Sequence, residues 1–217
     1  MSADAPPPDV APLAPADVAA LTATTTAGGV VLFPAEGVYG LAADPHRPDA
    51  VARMAALKSR DPQKPSALML WSVDAAAAAV AGAGETVLTA LRRLLPGPVG
   101  VLVPAGDGPF AAVCGPDGTL GLRVPRLPAP VDAPPVLQTS ANLAGGPDAL
   151  TVDDVPATIR DGCALVLDRG PRPGRPSTLV DLRGLDGPRA TWAIVRVGAV
   201  PAAAIAAALD GLGYRAD

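Results

Sequence analysis

FPAEGVYGLAADPHRPDAVARMAALKSRDPQKPSALML, residues 33–70, decides the fold of this 217-residue chain. The apolar residues 30–33 are closed by Pro34, which predicts a buried strand. The turn that follows contains Gly37 and Gly40, where the backbone can approach a ligand closely. Residues 49–58 have apolar positions at helical spacing, and Pro48 suits the start of a helix. The stretch therefore predicts strand, glycine turn, helix, charged connection and strand.

The charged connection carries three cations, Lys58, Arg60 and Lys64, and its two prolines prevent one continuous helix. Like charges this close repel each other unless an anion joins them. One interpretation is a solvated surface connection, which the charge pattern alone favours. The other is a phosphate clamp, in which arginine offers a planar fork and lysine a point charge.

Composition limits the class of protein. Apolar residues make up 49% and charged residues 18%, which is typical of a globular chain. The net charge of −4 argues against broad binding of nucleic acid or anionic membranes, but permits a local cationic pocket. No stretch has the pattern of a signal peptide or a membrane span. We therefore expect a cytoplasmic protein without a membrane partner or stable nucleic-acid binding.

Several kinds of chemistry lack their usual residues. His46 is the single histidine and lies in a proline-flanked turn, so we expect a surface residue rather than part of a catalytic triad. Neither a P-loop nor a Gly-x-Gly-x-x-Gly turn is present. Cys114 and Cys163 make neither a disulfide framework nor a zinc site, and we predict that both are small buried hydrophobes. No protein-bound metal site is predicted.

The rest of the chain predicts a single α/β domain over residues 15–217, preceded by a flexible Pro/Ala-rich arm over 1–14. Asp17 and Asp74 are predicted helix caps. Helices are expected over 17–27, 75–80, 86–95 and 151–160 and from Pro201 onward, and strands over 99–103, 119–125, 135–137, 164–167, 177–182 and 192–197. Alternation in 119–125 places Arg123 on the face opposite Leu120 and Leu122. By composition alone, 138–145 is a polar turn.

These segments resemble the signature of the YrdC-type domain of threonylcarbamoyl-AMP synthases. Its P-T-E-T-V-Y-G-L pattern stands here as PAEGVYGL over 34–41, and its K-x-R…K-P pattern as Lys58, Arg60 and Lys64-Pro65. R-V-P, S-A-N and S-T-[IV]-V-D begin at Arg123, Ser140 and Ser177. The resemblance covers about 30–200 and implies a twisted mixed sheet with helices packed around it and a cationic cavity. It also favours the phosphate clamp.

The resemblance implies an enzyme that joins L-threonine, bicarbonate and ATP, with Mg²⁺, into threonylcarbamoyl-AMP and pyrophosphate. The product would pass to tRNA-modifying proteins that form N6-threonylcarbamoyladenosine. Residues at matching positions divide by implied role into catalytic (Lys58, Arg60), ATP-binding (Lys58, Arg60, Lys64, Thr119, Asn142, Arg196) and substrate-binding (Ala35, Arg123, Ser140, Ser177).

Three departures affect the amino-acid end of this site. Ala35 replaces a hydroxyl that contacts the amino acid in the family, Gly37 replaces a second threonine or alanine, and Met69 stands where some members have histidine. Two alternatives therefore remain. One is a divergent relative that forms a carbamoyl-adenylate on another acceptor. The other is an RNA-binding module without catalysis, against which the net acidity and the few aromatics count.

Overall fold

The computed structural model describes residues 13–61, 66–80, 82–104, 108–126 and 133–216. These residues contain six α-helices: α1 Pro15–Thr26, α2 Pro48–Leu57, α3 Val73–Ala79, α4 Glu85–Leu94, α5 Ala157–Arg160 and α6 Ala202–Ala208. They also contain ten strands: β1 Val31–Pro34, β2 Tyr39–Ala43, β3 Ala67–Met69, β4 Val99–Pro104, β5 Thr119–Arg123, β6 Val136–Ser140, β7 Leu165–Val166, β8 Thr178–Asp181, β9 Thr191–Arg196 and β10 Tyr214–Arg215.

The strands form one mixed sheet in the order β10-β9-β8-β4-β5-β3-β6-β2-β1-β7. β4 pairs antiparallel with β5 and parallel with β8, which in turn pairs antiparallel with β9. This register places Gly100 opposite both Arg123 and Leu179, and Leu179 opposite Arg196. Because residues directly opposite each other share a face of the sheet, Arg123 and Arg196 lie on the same face in one cross-strand row.

Apolar side chains on the other face of β5 pack against helices. Leu120 and Leu122 join Val87 and Leu91 of α4 in the largest core cluster. α4 supports this cluster because its buried residues recur at helical spacing. The predicted alternation in β5 is confirmed, and the small residues Gly100 and Gly121 remain on the face that carries Arg123.

Helices cover both faces at the other end of the sheet. Met54 of α2 packs with Leu32 and Leu41, while Leu21 of α1 packs with Phe33 in a separate cluster. Strands β1 and β2 are therefore buried on both sides, and both read as runs of small or apolar residues. The predicted single mixed α/β fold is confirmed, with a twisted sheet and helices packed around it.

Most predicted elements are present with small shifts in their bounds. Strand β10 was not predicted, and three predicted segments differ. Residues 39–43 form β2 rather than the end of a turn, since this strand hydrogen-bonds to β1 and β6 on its two sides. Strand β6 continues to Ser140, through part of the predicted polar turn. The predicted helix 151–160 shrinks to α5 because Pro156 is its N-cap, as a residue whose nitrogen cannot donate suits a helix start.

Two predicted helix caps are wrong. Ala14 precedes α1, and the Asp17 carboxylate accepts a 2.7 Å hydrogen bond from the Ala14 nitrogen from within the first turn. The Ser72 hydroxyl caps α3 by accepting from the Ala75 nitrogen at 3.1 Å, in place of Asp74. Both helices begin earlier than predicted, so the acidic residues fall inside the first turn, where they favour the helix dipole.

The remaining predictions concern the N-terminal arm, the two cysteines, His46 and membrane-spanning helices. Residues 1–12 of the predicted arm and the predicted site residue Lys64 lie outside the described residues, so the arm and the domain boundary stay predictions. Cys114 and Cys163 are free thiols and only partly buried. His46 is exposed, as predicted. Among the described residues, none of the helices is both long enough and apolar enough to span a bilayer.

Candidate active site

A cavity of about 490 Å³ lies over the sheet face that carries Gly100, Gly121 and Arg123. The sheet leaves room for this cavity because Gly100, Gly121 and Ala67 stand where larger side chains would fill it. Small-molecule sites commonly fall in this size range. The wall is completed by residues from the β1–β2 turn, from the end of β6 and from the start of β8.

Three arginines from distant segments line this cavity. Arg60 follows α2, Arg123 ends β5 and Arg196 ends β9. The Arg60 Nη1 donates to the Thr139 hydroxyl at 2.9 Å, and the Arg196 Nη2 donates to the Ser177 carbonyl at 2.9 Å. Burial lowers the pKa of Arg60. The Thr139 hydroxyl and the Ser177 carbonyl are neutral acceptors, so neither of these two hydrogen bonds neutralises the charge of Arg60 or Arg196.

Arg123 is the most enclosed of the three. Its side chain is 11% exposed, its Nη2 lies 3.1 Å from Glu36 Oε2, and its Nη1 donates to Gln138 Oε1 at 2.9 Å. Burial is the main cause that lowers the pKa of Arg123, the Glu36 carboxylate opposes it, and the charge of Arg196 adds a smaller lowering. Arg123 and Arg196 therefore repel each other across the cavity.

Lys58 ties the α2 end to the Ser-Ala-Asn turn that follows β6. Its Nζ donates to the Ser140 carbonyl, to the Asn142 carbonyl at 2.6 Å and to the Asn142 Oδ1 at 3.1 Å. Burial lowers the pKa of Lys58 to about 8, the charge of Arg60 adds to the lowering, and Asp148 opposes it. Three acceptors around one amine show that the two signature segments form one unit in space.

The structure brings together six of the predicted site residues as cavity-lining groups: Ala35, Arg60, Arg123, Ser140, Ser177 and Arg196. Lys58 and Asn142 are not among the described residues that line it. They stand behind Ser140, whose hydroxyl donates to Asn142 Oδ1 at 2.5 Å, while Asn142 Nδ2 donates to the Gly146 carbonyl at 2.6 Å. These bonds shape the turn that forms one wall.

Thr119 lies at the opposite end of β5 from Arg123 and is buried. Its hydroxyl accepts from the Arg183 Nη1 at 2.9 Å, and the same nitrogen lies 2.7 Å from Asp117 Oδ2. Arg183 also pairs with Asp181 at 2.7 Å. Thr119 is thus part of a separate polar cluster and is not among the described residues that line the cavity.

Further polar residues line or support the cavity without having been assigned from the sequence. Gln138, Thr139 and Asp148 line it, and Glu36 contacts Arg123. Gln138 and Thr139 were predicted to lie in a turn, so they were not recognised as strand residues of β6 whose side chains could reach the cavity. Glu36 lies inside the family signature over residues 34–41. Its charge in a turn that contains Gly37 and Gly40 is the sequence feature that could have identified it as a site residue.

The loop 168–176 packs directly on the β1–β2 turn. A Cβ atom on Gly37 would lie 1.9 Å from the Arg175 carbonyl oxygen, so only glycine allows this approach. The Gly174 nitrogen donates to the Gly37 carbonyl at 3.0 Å. The departure from the family pattern at Gly37 therefore coincides with a backbone segment that occupies the place of the missing side chain.

Two polar contacts anchor this loop. The Tyr39 hydroxyl donates to Asp168 Oδ1 at 2.8 Å, and burial, aided by Asp168, raises the pKa of Tyr39 to about 12. Arg169 makes a bidentate contact with Asp17 of α1, at 2.7 and 2.8 Å. The loop is held against α1 and β2, which keeps Pro176 and Ser177 at the cavity wall.

The fold and the site define a mixed α/β domain with an arginine-lined cavity over a glycine-rich sheet face. Residues 23–198 match the Sua5_yciO_yrdC family model, which is described as "Telomere recombination", and the chain belongs to this family. It is 32% identical over 171 residues to a threonylcarbamoyl-AMP synthase of Chromohalobacter salexigens. That alignment covers 76% of this chain and 92% of the relative.

Solved structures share the fold. P. abyssi Sua5, complexed with L-threonine, has a TM-score of 0.78 and 22% identity, covering 94% of this chain and 60% of that chain. This chain therefore spans about three-fifths of the Sua5 protein. E. coli YciO has a TM-score of 0.74 and 17% identity, covering 90% of this chain and 96% of that one.

Proposed function

We propose that this chain is a nucleotidyltransferase that makes threonylcarbamoyl-AMP and pyrophosphate from L-threonine, bicarbonate and ATP. The observation that carries the proposal is the convergence of Arg60, Arg123 and Arg196 in one cavity of about 490 Å³. Guanidinium groups are suited to phosphate and carboxylate, which ATP and L-threonine carry. Membership of the family and the named Chromohalobacter relative support the same reaction.

The chemistry requires positioning and charge compensation more than a side-chain nucleophile. Bicarbonate gives CO₂ by losing hydroxide, and this hydroxide leaves as water with the proton that the threonine amine releases when its nitrogen bonds to CO₂ to form a carbamate. A carbamate oxygen then attacks the α-phosphorus of ATP. A new P–O bond forms as the bond to pyrophosphate breaks. Arg60 and Arg196 would hold the phosphates and stabilise the developing negative charge. Arg123 would bind the threonine carboxylate, with Ala35, Ser140 and Ser177 around it.

Lys58 and Asn142 act behind the cavity surface in this proposal. Lys58 and Asn142 would keep the Ser-Ala-Asn turn in place, and the Lys58 charge would add to the field that attracts the triphosphate. Lys64 would extend the same cationic segment. Thr119 would contact the nucleotide only if a ligand reaches the end of β5 where Arg183 stands.

Magnesium would enter as part of the Mg–ATP substrate. The described residues contain no group of three or more His, Cys, Asp or Glu side chains that could hold a metal by themselves. Mg²⁺ usually binds substrate phosphates with one or two carboxylates, and Asp148 is a carboxylate on the cavity wall. The ion would neutralise part of the phosphate charge when bound.

Pyrophosphate release measured with ATP and bicarbonate, with and without L-threonine, tests the proposal. We expect release to depend on threonine and to fall about 10- to 100-fold in Arg60→Ala, as for loss of one charge-stabilising group. Arg92→Ala on the exposed side of α4 is the matched control. Equal rates with and without threonine in both variants and the wild type would contradict the assignment.

The acceptor and the downstream partner belong to the same proposal. Ala35 lacks the family's hydroxyl, so release that another amine stimulates but threonine does not would favour the divergent alternative. We expect the product to be consumed by tRNA-modifying proteins, because a mixed carbamoyl–phosphate anhydride is an activated acyl donor. The cytoplasmic location stays a prediction.

A further inference from the structure

The Glu36 carboxylate joins the β1–β2 turn to the end of β5. Its side chain is 13% exposed, Oε2 lies 3.1 Å from the Arg123 Nη2, and Oε1 accepts a 2.9 Å hydrogen bond from the Arg126 backbone nitrogen. Both oxygens are therefore used, one on a side chain and one on the backbone three residues later. The backbone contact fixes the Glu36 carboxylate, so the oxygen that contacts the Arg123 Nη2 is held in one place.

Glu36 and Gln138 use two of the five N–H donors of Arg123. Gln138 accepts from Nη1 at 2.9 Å and Glu36 accepts from Nη2, while Nε is buried without a hydrogen-bond partner among the described residues. Buried donors are nearly always paired, and an unpaired one is costly. Nε has almost no accessible surface, so an anionic oxygen of a ligand in the cavity would accept instead from the second hydrogens of Nη1 and Nη2, on a side chain that is 11% exposed.

We propose that Glu36 is a positioning residue that orients Arg123 toward the carboxylate of the amino-acid substrate. The inference rests on the proposed function, since it needs threonine in this cavity. Glu36 and Gln138 hold the guanidinium from two sides, so its remaining N–H groups keep one direction. Without Glu36, repulsion from Arg196 would act on an arginine that is held only by a neutral amide.

Loss of the Glu36 charge and loss of the Arg123 orientation should affect the binding of the two substrates differently. This difference separates a positioning role for Glu36 from a general electrostatic one. Removing the carboxylate beside Arg123 makes the cavity more positive, so attraction for the ATP phosphates should not weaken. Binding of the amino-acid carboxylate depends on the direction of the Arg123 donors and should weaken. The inference therefore requires a loss that is specific to one substrate.

Pyrophosphate release by Glu36→Gln and Glu36→Asp, with Glu85→Gln as a control, tests this difference. Glu85 is a carboxylate on α4 with an 86% exposed side chain. We expect Glu36→Gln to raise the KM for L-threonine about 10- to 100-fold, as for loss of a hydrogen bond to a charged group, with the KM for ATP unchanged or lower. Glu36→Asp keeps the charge but is one methylene shorter, so it should also raise the threonine KM.

L-threoninamide, which lacks the carboxylate, provides the second readout. Wild type and Glu85→Gln should prefer L-threonine over the amide, and Glu36→Gln should lose most of that preference, as should Arg123→Gln. An unchanged preference in Glu36→Gln, or an equal rise of both KM values, would overturn the inference while threonine-dependent release by the wild type would still support the proposed function. A wild type without threonine-dependent release would instead remove the proposed function. An ATP KM in Glu36→Gln and Glu36→Asp that does not exceed the wild-type value shows that the fold is intact.

Discussion

Raising the pH from 7 to 9 should switch off the charge of Lys58. Burial holds the pKa of this amine at about 8, with the charge of Arg60 as the second cause. With that pKa, about one-tenth of the molecules carry a neutral Lys58 at pH 7 and about nine-tenths at pH 9. A neutral amine can still donate to the turn oxygens, but it no longer attracts phosphates. We therefore expect a loss of about fivefold in kcat/KM for ATP between pH 8 and pH 9.

The assay compares wild type with Lys58→Arg at each pH, because the guanidinium stays charged throughout this range. Taking the ratio of the two rates cancels the pH dependence of threonine's amine and of bicarbonate, which both proteins share. The ratio of wild type to variant should be constant below pH 7 and fall above pH 8. A ratio that stays constant to pH 9.5 would refute the link between the buried charge and catalysis.

Three further changes test the surroundings of the cavity. Gly37→Ala places a Cβ 1.9 Å from the Arg175 carbonyl oxygen, so the free energy of unfolding measured in urea should fall by about 1–3 kcal/mol. Gly82→Ala is the control, because a Cβ there would have nothing within 4 Å. Tyr39→Phe should destabilise by about 1–3 kcal/mol. Because the folded phenol has a pKa of about 12 and the unfolded one about 10, wild type should lose stability as the pH rises above 10, and the variant should lack that loss. Ala35→Ser restores a hydroxyl at the cavity wall and should lower the threonine KM by about fivefold; no change would place the amino acid elsewhere.

Local patterns in the sequence were sufficient for the elements that build the site. The helical spacing in 49–58 predicted α2 to within one residue at each end. Alternation in β5 correctly placed Leu120 and Leu122 in the core and Arg123 on the other face. These features follow from side chains a few residues apart, so they can be read without knowledge of the partner strands.

Residues that looked like turns required the partner strands. Gly40 and the alanines after it have weak strand preference, and β2 exists because β1 and β6 pair with both of its edges. Gln138 and Thr139 line the cavity because β6 continues to Ser140, which the local sequence pattern did not predict. The predicted helix 151–160 failed for the reverse reason, since Pro156 is compatible only with a helix start.

By itself, the sequence determined the family, the order of most helices and strands, and which segments carry the cations. The tertiary structure alone decided that Gly100 and Leu179 stand between Arg123 and Arg196, that Lys58 faces the Ser-Ala-Asn turn, and that Glu36 restrains Arg123. The physical reason is distance along the chain. The periodicity of a helix or strand depends on residues close together in the sequence. Strand register and ion pairing depend on segments many residues apart, which come into contact only when the chain folds.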